Sequence, residues 1–287
     1  MGKEIWTIGK ILKWTETYFA EKGIETPRLD AEVLLSHVLE KERIYLYVHF
    51  DEPLEAGELA DYRELVKRRV QHVPVAYLIG SREFMGLDFQ VTPAVLIPRP
   101  ETEFLVQAAI ERLRGMQGEK IFADIGTGSG AVCLSVLYYV PEAKAETVDI
   151  SGDARKIAEQ NAELLGVSDR IVFHTGDLLE PLRGKRFCAV LSNPPYIPEA
   201  DIAGLSEDVR TAEPHSALAG GADGLDFYRR LAAEAPEYLT EDGFLAMELG
   251  IRQAEPVRRL LEKDGRLTRF EIRKDLAEIE RVIVAGR

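Results

Sequence analysis

Apolar residues recur at helical spacing through the first quarter of the chain: Ile5, Ile8, Ile11, Leu12 and Phe19, then Leu29, Val33, Leu34 and Val38, then Leu59, Tyr62, Leu65, Val66 and Val70. Pro27 and Pro53 fall near the starts of the second and last of these helices, where a missing N–H is tolerated. The period predicts a small helical bundle over residues 1–72. From Pro74 to Pro100 that period is absent, and Leu87 to Val91 alternates like a half-buried strand, which predicts a β-hairpin linker over 73–100. The linker closes with Leu96-Ile97-Pro98-Arg99-Pro100-Glu101-Thr102-Glu103, an extended entry followed by acidic residues suited to a first helical turn.

Beyond residue 119 the pattern becomes strand, helix, strand. Short apolar runs at Ile121–Ile125, Ala145–Ile150, Ile171–His174, Phe187–Ser192 and Phe244–Leu249 are separated by helical stretches such as Asp153–Leu165 and Asp226–Tyr238. Continuous apolar strands interleaved with helices predict an α/β domain over 101–287, with a mostly parallel sheet covered on both faces. Two closing runs, Leu267–Ile272 and Arg281–Ala285, are joined by a charged turn and predict an antiparallel pair at one edge.

Composition narrows the partners. The 287 residues carry 36 Lys+Arg and 49 Asp+Glu, a net charge of −13. Residues 1–100 hold 13 basic and 16 acidic side chains, the remainder 23 and 33, so the second part is the acidic one. Nucleic-acid coating draws on clustered Lys and Arg and is disfavoured. The basic run Lys67-Arg68-Arg69 reads as a solvated helix face. Cys133 and Cys188 form neither a disulfide framework nor a zinc signature, and the five histidines have no ligand spacing, so no metal is expected. The N-terminal segment is charged throughout, and the longest uncharged stretch, Ile125–Pro141, is interrupted by glycines. Neither a signal peptide nor a membrane span is expected, and a reducing cytoplasm is the simplest location.

Two loops carry chemistry. Asp124-Ile125-Gly126-Thr127-Gly128-Ser129-Gly130 follows the first strand of the sheet and opens a helix, the position at which glycines let a ligand approach the backbone. Its spacing differs from the dinucleotide fingerprint, and it lacks the Gly-Lys-Ser/Thr ending of a phosphate loop. Asp149 ends the next strand, where a carboxylate can accept from both ribose hydroxyls. Together they predict an adenosine site without phosphates, with Asp177 and Leu178 after the third strand bracketing the adenine. Asn193-Pro194-Pro195-Tyr196 follows the fourth strand. A planar amide or aromatic amine is a weak nucleophile because its nitrogen lone pair is delocalised. The Asn193 side-chain carbonyl and the Pro194 main-chain carbonyl can each accept one N–H of an incoming NH₂. The prolines keep these acceptors rigid, and the Tyr196 ring covers the flat group.

On these residues the chain resembles the PrmC/HemK family, the peptide chain release factor glutamine methyltransferases. The resemblance runs nearly end to end and includes Asp149-Ile150-Ser151, Glu213-Pro214 with Ala217-Leu218, and Gly220-Gly221 through Gly224-Leu225. It implies a seven-stranded, Rossmann-like class I methyltransferase sheet, a five-helix substrate-binding domain, and S-adenosyl-L-methionine as methyl donor. It also implies class I release factors as protein partners, methylated on the glutamine of a Gly-Gly-Gln motif. Asn193, Pro194, Pro195 and Tyr196 then hold the substrate and carry catalysis, while Gly126 to Gly130, Asp149, Asp177, Leu178 and Asn193 hold the cofactor. Arg99, Glu101, Thr102 and Glu213 border the pocket or serve as caps and ion pairs, and the long Ile197–Gly224 stretch reads as a lid. The sequence departs from the family at Glu278, where Gly is frequent, and at Leu178, where some members have an aromatic. The rival readings are an amine methyltransferase acting on a nucleobase or on a ribosomal protein glutamine, a cofactor-binding regulator without catalysis, and an NAD-dependent oxidoreductase.

Overall fold

The computed structural model describes residues 5–263 and 265–287; residues 1–4, which open the expected helical domain, lie outside the described residues. The chain divides into two compact units. The first is helical and extends to Gly80, with Ser206–Ala212 added from later in the chain. It contains α1 (Ile8–Glu21), α2 (Pro27–Leu39), α3 (Arg43–Val48), α4 (Ala56–Arg69) and α5 (Val75–Ile79). The periodic residues Ile8, Leu12, Phe19, Leu34, Tyr62 and Val66 meet in its core. The fifth helix lies beyond the boundary near residue 72. It is only five residues long, too short to display a period, and it is visible only through the Leu78 that it adds to the core.

Arg69 does not lie on a solvated face. It is 4% exposed, and its Nε donates to Asp30 Oδ2 at 2.7 Å. Its Nη1 and Nη2 donate to the two carboxylate oxygens of Asp208, at 3.1 and 2.7 Å. Asp208 belongs to the returning segment, so a partner 139 positions away decides the burial. Lys67 and Arg68 remain exposed.

The second unit begins with the hairpin, β1 (Ser81–Phe84) paired antiparallel with β2 (Leu87–Gln90). After α6 (Glu103–Gly115) come β3 (Lys120–Ile125), α7 (Ala131–Tyr139), β4 (Ala143–Asp149), α8 (Gly152–Leu164), β5 (Ile171–Thr175) and β6 (Phe187–Ser192). The short α9 (Glu207–Ala212) lies in the returning segment, followed by α10 (Asp226–Glu234), β7 (Leu239–Glu248), α11 (Ala254–Glu262), β8 (Arg269–Lys274) and β9 (Glu280–Gly286). Seven strands form one sheet in the order β5-β4-β3-β6-β7-β9-β8, parallel from β5 through β7. β9 runs antiparallel to β7 and to β8, so the expected antiparallel pair closes one edge. The turn between them carries Glu278 at a φ of 62°, a left-handed conformation that accounts for a preference for Gly there. Asp275 closes that turn, accepting from Ile279 N and from Arg281 Nε at 3.0 and 2.7 Å.

Both faces of the sheet are apolar because successive strand residues point to opposite sides. Phe122, Leu191, Phe244 and Val284 pack on one face with α6 and α7. Ala123, Val190, Leu245 and Ile283 pack on the other with α10 and α11. The strand order leaves β3 toward β4 and β5, then returns to β6 on the other side of β3. That reversal opens a crevice at the carboxyl ends of β3 and β6, where ligands of open α/β sheets bind.

Candidate active site

Every loop singled out from the sequence leaves a strand at this carboxyl edge. The glycine loop turns out of β3, with Gly126 N donating to Val148 O at 2.9 Å. Gly126, Gly128 and Gly130 all have positive φ. A Cβ on Gly128 would meet nothing within 4 Å, which leaves the open side of the loop to a ligand. A Cβ on Gly130 would come within 2.6 Å of Leu134, so this third glycine serves the packing of α7. Asp149, at the end of β4, accepts from Gly128 N through Oδ2 and from Ser151 N through Oδ1, both at 2.8 Å. One carboxylate thus fixes the loop and the start of α8, and each oxygen retains a free lone pair.

A cavity of about 520 Å³ joins these loops. Gly126, Thr127, Gly128 and Ser129 form one wall with Asp149. Asp177 and Leu178 stand on another, and Asn193, Pro194 and Pro195 on a third. Leu178 has a φ of 45°, a strained backbone of the kind held at ligand contacts. Gly130 and Tyr196 are not in the wall. The Tyr196 ring packs on the apolar cluster beneath, and its hydroxyl donates to Glu248 Oε1 at 3.3 Å. Burial beside the Glu248 charge raises the Tyr196 pKa, so its phenol stays protonated.

The cavity suits an adenosine without phosphates. Its lining includes no lysine, and its two arginines are engaged: Arg99 pairs with the buried Glu213, and Arg230 binds both oxygens of Asp177 at 3.0 and 2.8 Å. Asp177 is matched by Arg230, so the negative charge of the wall is that of Asp149, favourable to a cationic ligand and unfavourable to pyrophosphate.

The Asn193 loop is held from behind. Its Nδ2 donates to Thr102 Oγ1 at 3.1 Å, and Ser192 Oγ donates to Ile125 O at 2.7 Å. Ile197 N donates to Leu218 O, and Gly220 N to Ile197 O, closing the 218–224 stretch against the tetrad's backbone. A Cβ on Gly224 would come within 2.3 Å of Tyr196 O, the physical reason for glycine there.

Several residues of the site carry no sequence signal. Asn161, fully buried on α8, donates to Ser129 O at 2.8 Å and accepts from Gln90 N at 2.7 Å, tying the glycine loop to the hairpin. Gln253 donates to Tyr196 O at 2.9 Å. Phe227 adds an aromatic ring to the cavity lining. Glu248 did leave a trace, as a lone acid within the apolar run of β7. Burial pushes its carboxyl up to about 7, against the pull of the Thr102 and Tyr196 hydroxyls. Asp124, buried beneath the glycine loop, is likewise pushed up to about 7.

This sheet order, with its cleft at the carboxyl ends of β3 and β6, is that of a class I methyltransferase. Comparison with known proteins sharpens the assignment. Residues 10–80 match the PrmC N-terminal domain and residues 101–209 the methyltransferase small domain. The release factor glutamine methyltransferase of Geobacter sulfurreducens is 47% identical over 284 residues, 99% of this chain and 98% of that protein. That of Moorella thermoacetica is 43% identical over 268 residues, 93% and 94% of the two chains. The hMettl16 catalytic domain, 17% identical, shares the fold with a TM-score of 0.57 over 78% of this chain and 82% of that one. The chain belongs to the release factor glutamine methyltransferase family.

Proposed function

We propose that the protein transfers a methyl group from S-adenosyl-L-methionine to the side-chain amide nitrogen of the glutamine in the Gly-Gly-Gln motif of bacterial class I release factors, modulating translation termination in the cytoplasm. The observation that carries this reading is a single cavity lined by the glycine loop, Asp149, Asn193 and Pro194, with no lysine among its lining residues. Family membership supports the choice of a protein glutamine over a nucleobase, as does the lack of an uncommitted cation in the lining.

The bound donor supplies an electrophilic methyl group on a sulfonium. The rest falls to this chain. Asp149 accepts from the ribose hydroxyls, while Asp177 and Leu178 flank the adenine with Phe227 beside them. Gly126 to Ser129 allow close approach of the donor's polar end. Asn193 Oδ1 and the Pro194 carbonyl accept the two hydrogens of the glutamine NH₂, directing its nitrogen at the methyl group. Tyr196 acts from beneath, with its hydroxyl anchored on Glu248. Orientation of this kind contributes about 7–11 kcal/mol in well-aligned systems, so no strong base is needed for the transfer. The proton leaves once methylation has made the nitrogen acidic.

The test is incubation with methyl-labelled donor and a release factor, the same factor with its motif glutamine replaced by alanine, or nucleic acid. Label on the first alone is expected; label on nucleic acid alone overturns the reading.

A further inference from the structure

The two orientations of the Asn193 amide are nearly isosteric but chemically opposite. With Oδ1 facing the cavity the residue accepts an N–H; with Nδ2 facing it, donor meets donor. Nδ2 is engaged at the back by Thr102 Oγ1 at 3.1 Å. Thr102 is buried at the start of α6, and its hydroxyl has one proton to place. The parallel register pairs Ser192 with Met247, so Asn193 and Glu248 are the next positions along neighbouring strands. Glu248 Oε1 is taken by Tyr196, and Oε2 is buried without a hydrogen-bond partner. As acceptor for Nδ2, the Thr102 hydroxyl offers Asn193 a lone pair, which sets Nδ2 inward and Oδ1 outward.

We propose that Thr102 is a positioning residue that locks the Asn193 amide with its oxygen toward the methyl-accepting nitrogen. This rests on the function proposed above. It assigns a reason to the Thr in the Pro100-Glu101-Thr102 turn.

The test compares Thr102→Val, which keeps the shape and removes the hydroxyl, with Thr102→Ser, which restores it. With a release factor as substrate, Thr102→Val is expected to lower kcat about tenfold, the equivalent of one hydrogen bond near 1.4 kcal/mol, while KM and the donor's Kd from calorimetry stay within about twofold. Thr102→Ser is expected to recover most of kcat. A second readout needs no turnover: in the ligand-free, 15N-labelled chain the Asn193 side-chain amide protons should exchange with solvent about tenfold faster in Thr102→Val than in wild type. Unchanged kcat and unchanged exchange in Thr102→Val overturn the assignment while leaving wild-type methylation intact. Equal losses of kcat in the Ser and Val variants also overturn it. A wild-type chain that labels no release factor removes the functional reading and this assignment together.

Discussion

Replacing Arg69 with methionine keeps most of the side chain's apolar stem and removes the guanidinium from a buried site. Asp30 then loses its Nε partner at 2.7 Å and keeps the Thr26 hydroxyl, also at 2.7 Å, and Asp208 loses both of its bonds from the guanidinium. Asp208 keeps His72 at 3.0 Å, whereas Asp30 is left buried without a cation, and removing one member of a buried ion pair costs about 3–5 kcal/mol. A helical unit of some 80 residues has about 4–12 kcal/mol in total, so the substitution removes a large share of its stability. Both tryptophans of the chain, Trp6 and Trp14, lie in this unit, which makes tryptophan fluorescence a selective probe of its unfolding. With an m-value near 1 kcal/mol per molar urea, the Arg69→Met midpoint should fall by about 3 M. Lys67→Met is the control: Lys67 is exposed and pairs with Glu64 at 3.3 Å, an arrangement worth well under about 1 kcal/mol. A midpoint shift for Arg69→Met no larger than that of Lys67→Met would refute the reasoning.

Two further outcomes are expected. Asp149→Ala should weaken binding of S-adenosyl-L-methionine at least about 100-fold by calorimetry, since two charge-assisted bonds to ribose at roughly 1.5 kcal/mol each are lost; an unchanged Kd would remove Asp149 from the nucleoside site. Glu248 is held up to about 7 in the folded chain against 4.5 for an ordinary glutamate, so the fold binds its proton more tightly than the unfolded chain does. The stabilisation is therefore fully present below about pH 4.5 and lost as pH rises to about 7. Glu248→Gln should make the slope of unfolding free energy against pH less negative by about 1.4 kcal/mol per unit in that window, measured by urea denaturation followed by circular dichroism. Identical slopes for the two proteins would show that the carboxyl is not buried as described.

The parts of the molecule legible in the sequence are those written in local chemistry. Strand and helix periods place the elements of the sheet because each strand is apolar on both faces and each long helix carries a stripe. The glycine loop, Asp149 and Asn193 to Tyr196 announce themselves because backbone freedom, a carboxylate after a strand and a proline-stiffened amide have few other uses in those positions. Five residues at Val75–Ile79 are too few to show a period, and so the fifth helix does not announce itself.

What the tertiary structure alone decides is which of two possible environments a polar residue receives. Arg69 looks like its exposed neighbours Lys67 and Arg68, and only the return of Asp208 from 139 positions away makes it a buried ion pair. Tyr196 reads as a cover for the flat substrate amide, and only packing shows its ring against the apolar cluster with its hydroxyl on Glu248. Thr102 reads equally well as a helix cap, and only the folded chain brings its hydroxyl to the Asn193 amide, 91 positions away. Residue type and spacing determine what chemistry the chain can perform. The long-range hydrogen bonds and ion pairs that hold each reacting group in one orientation depend on strand order and chain return, and these exist only once the fold has formed.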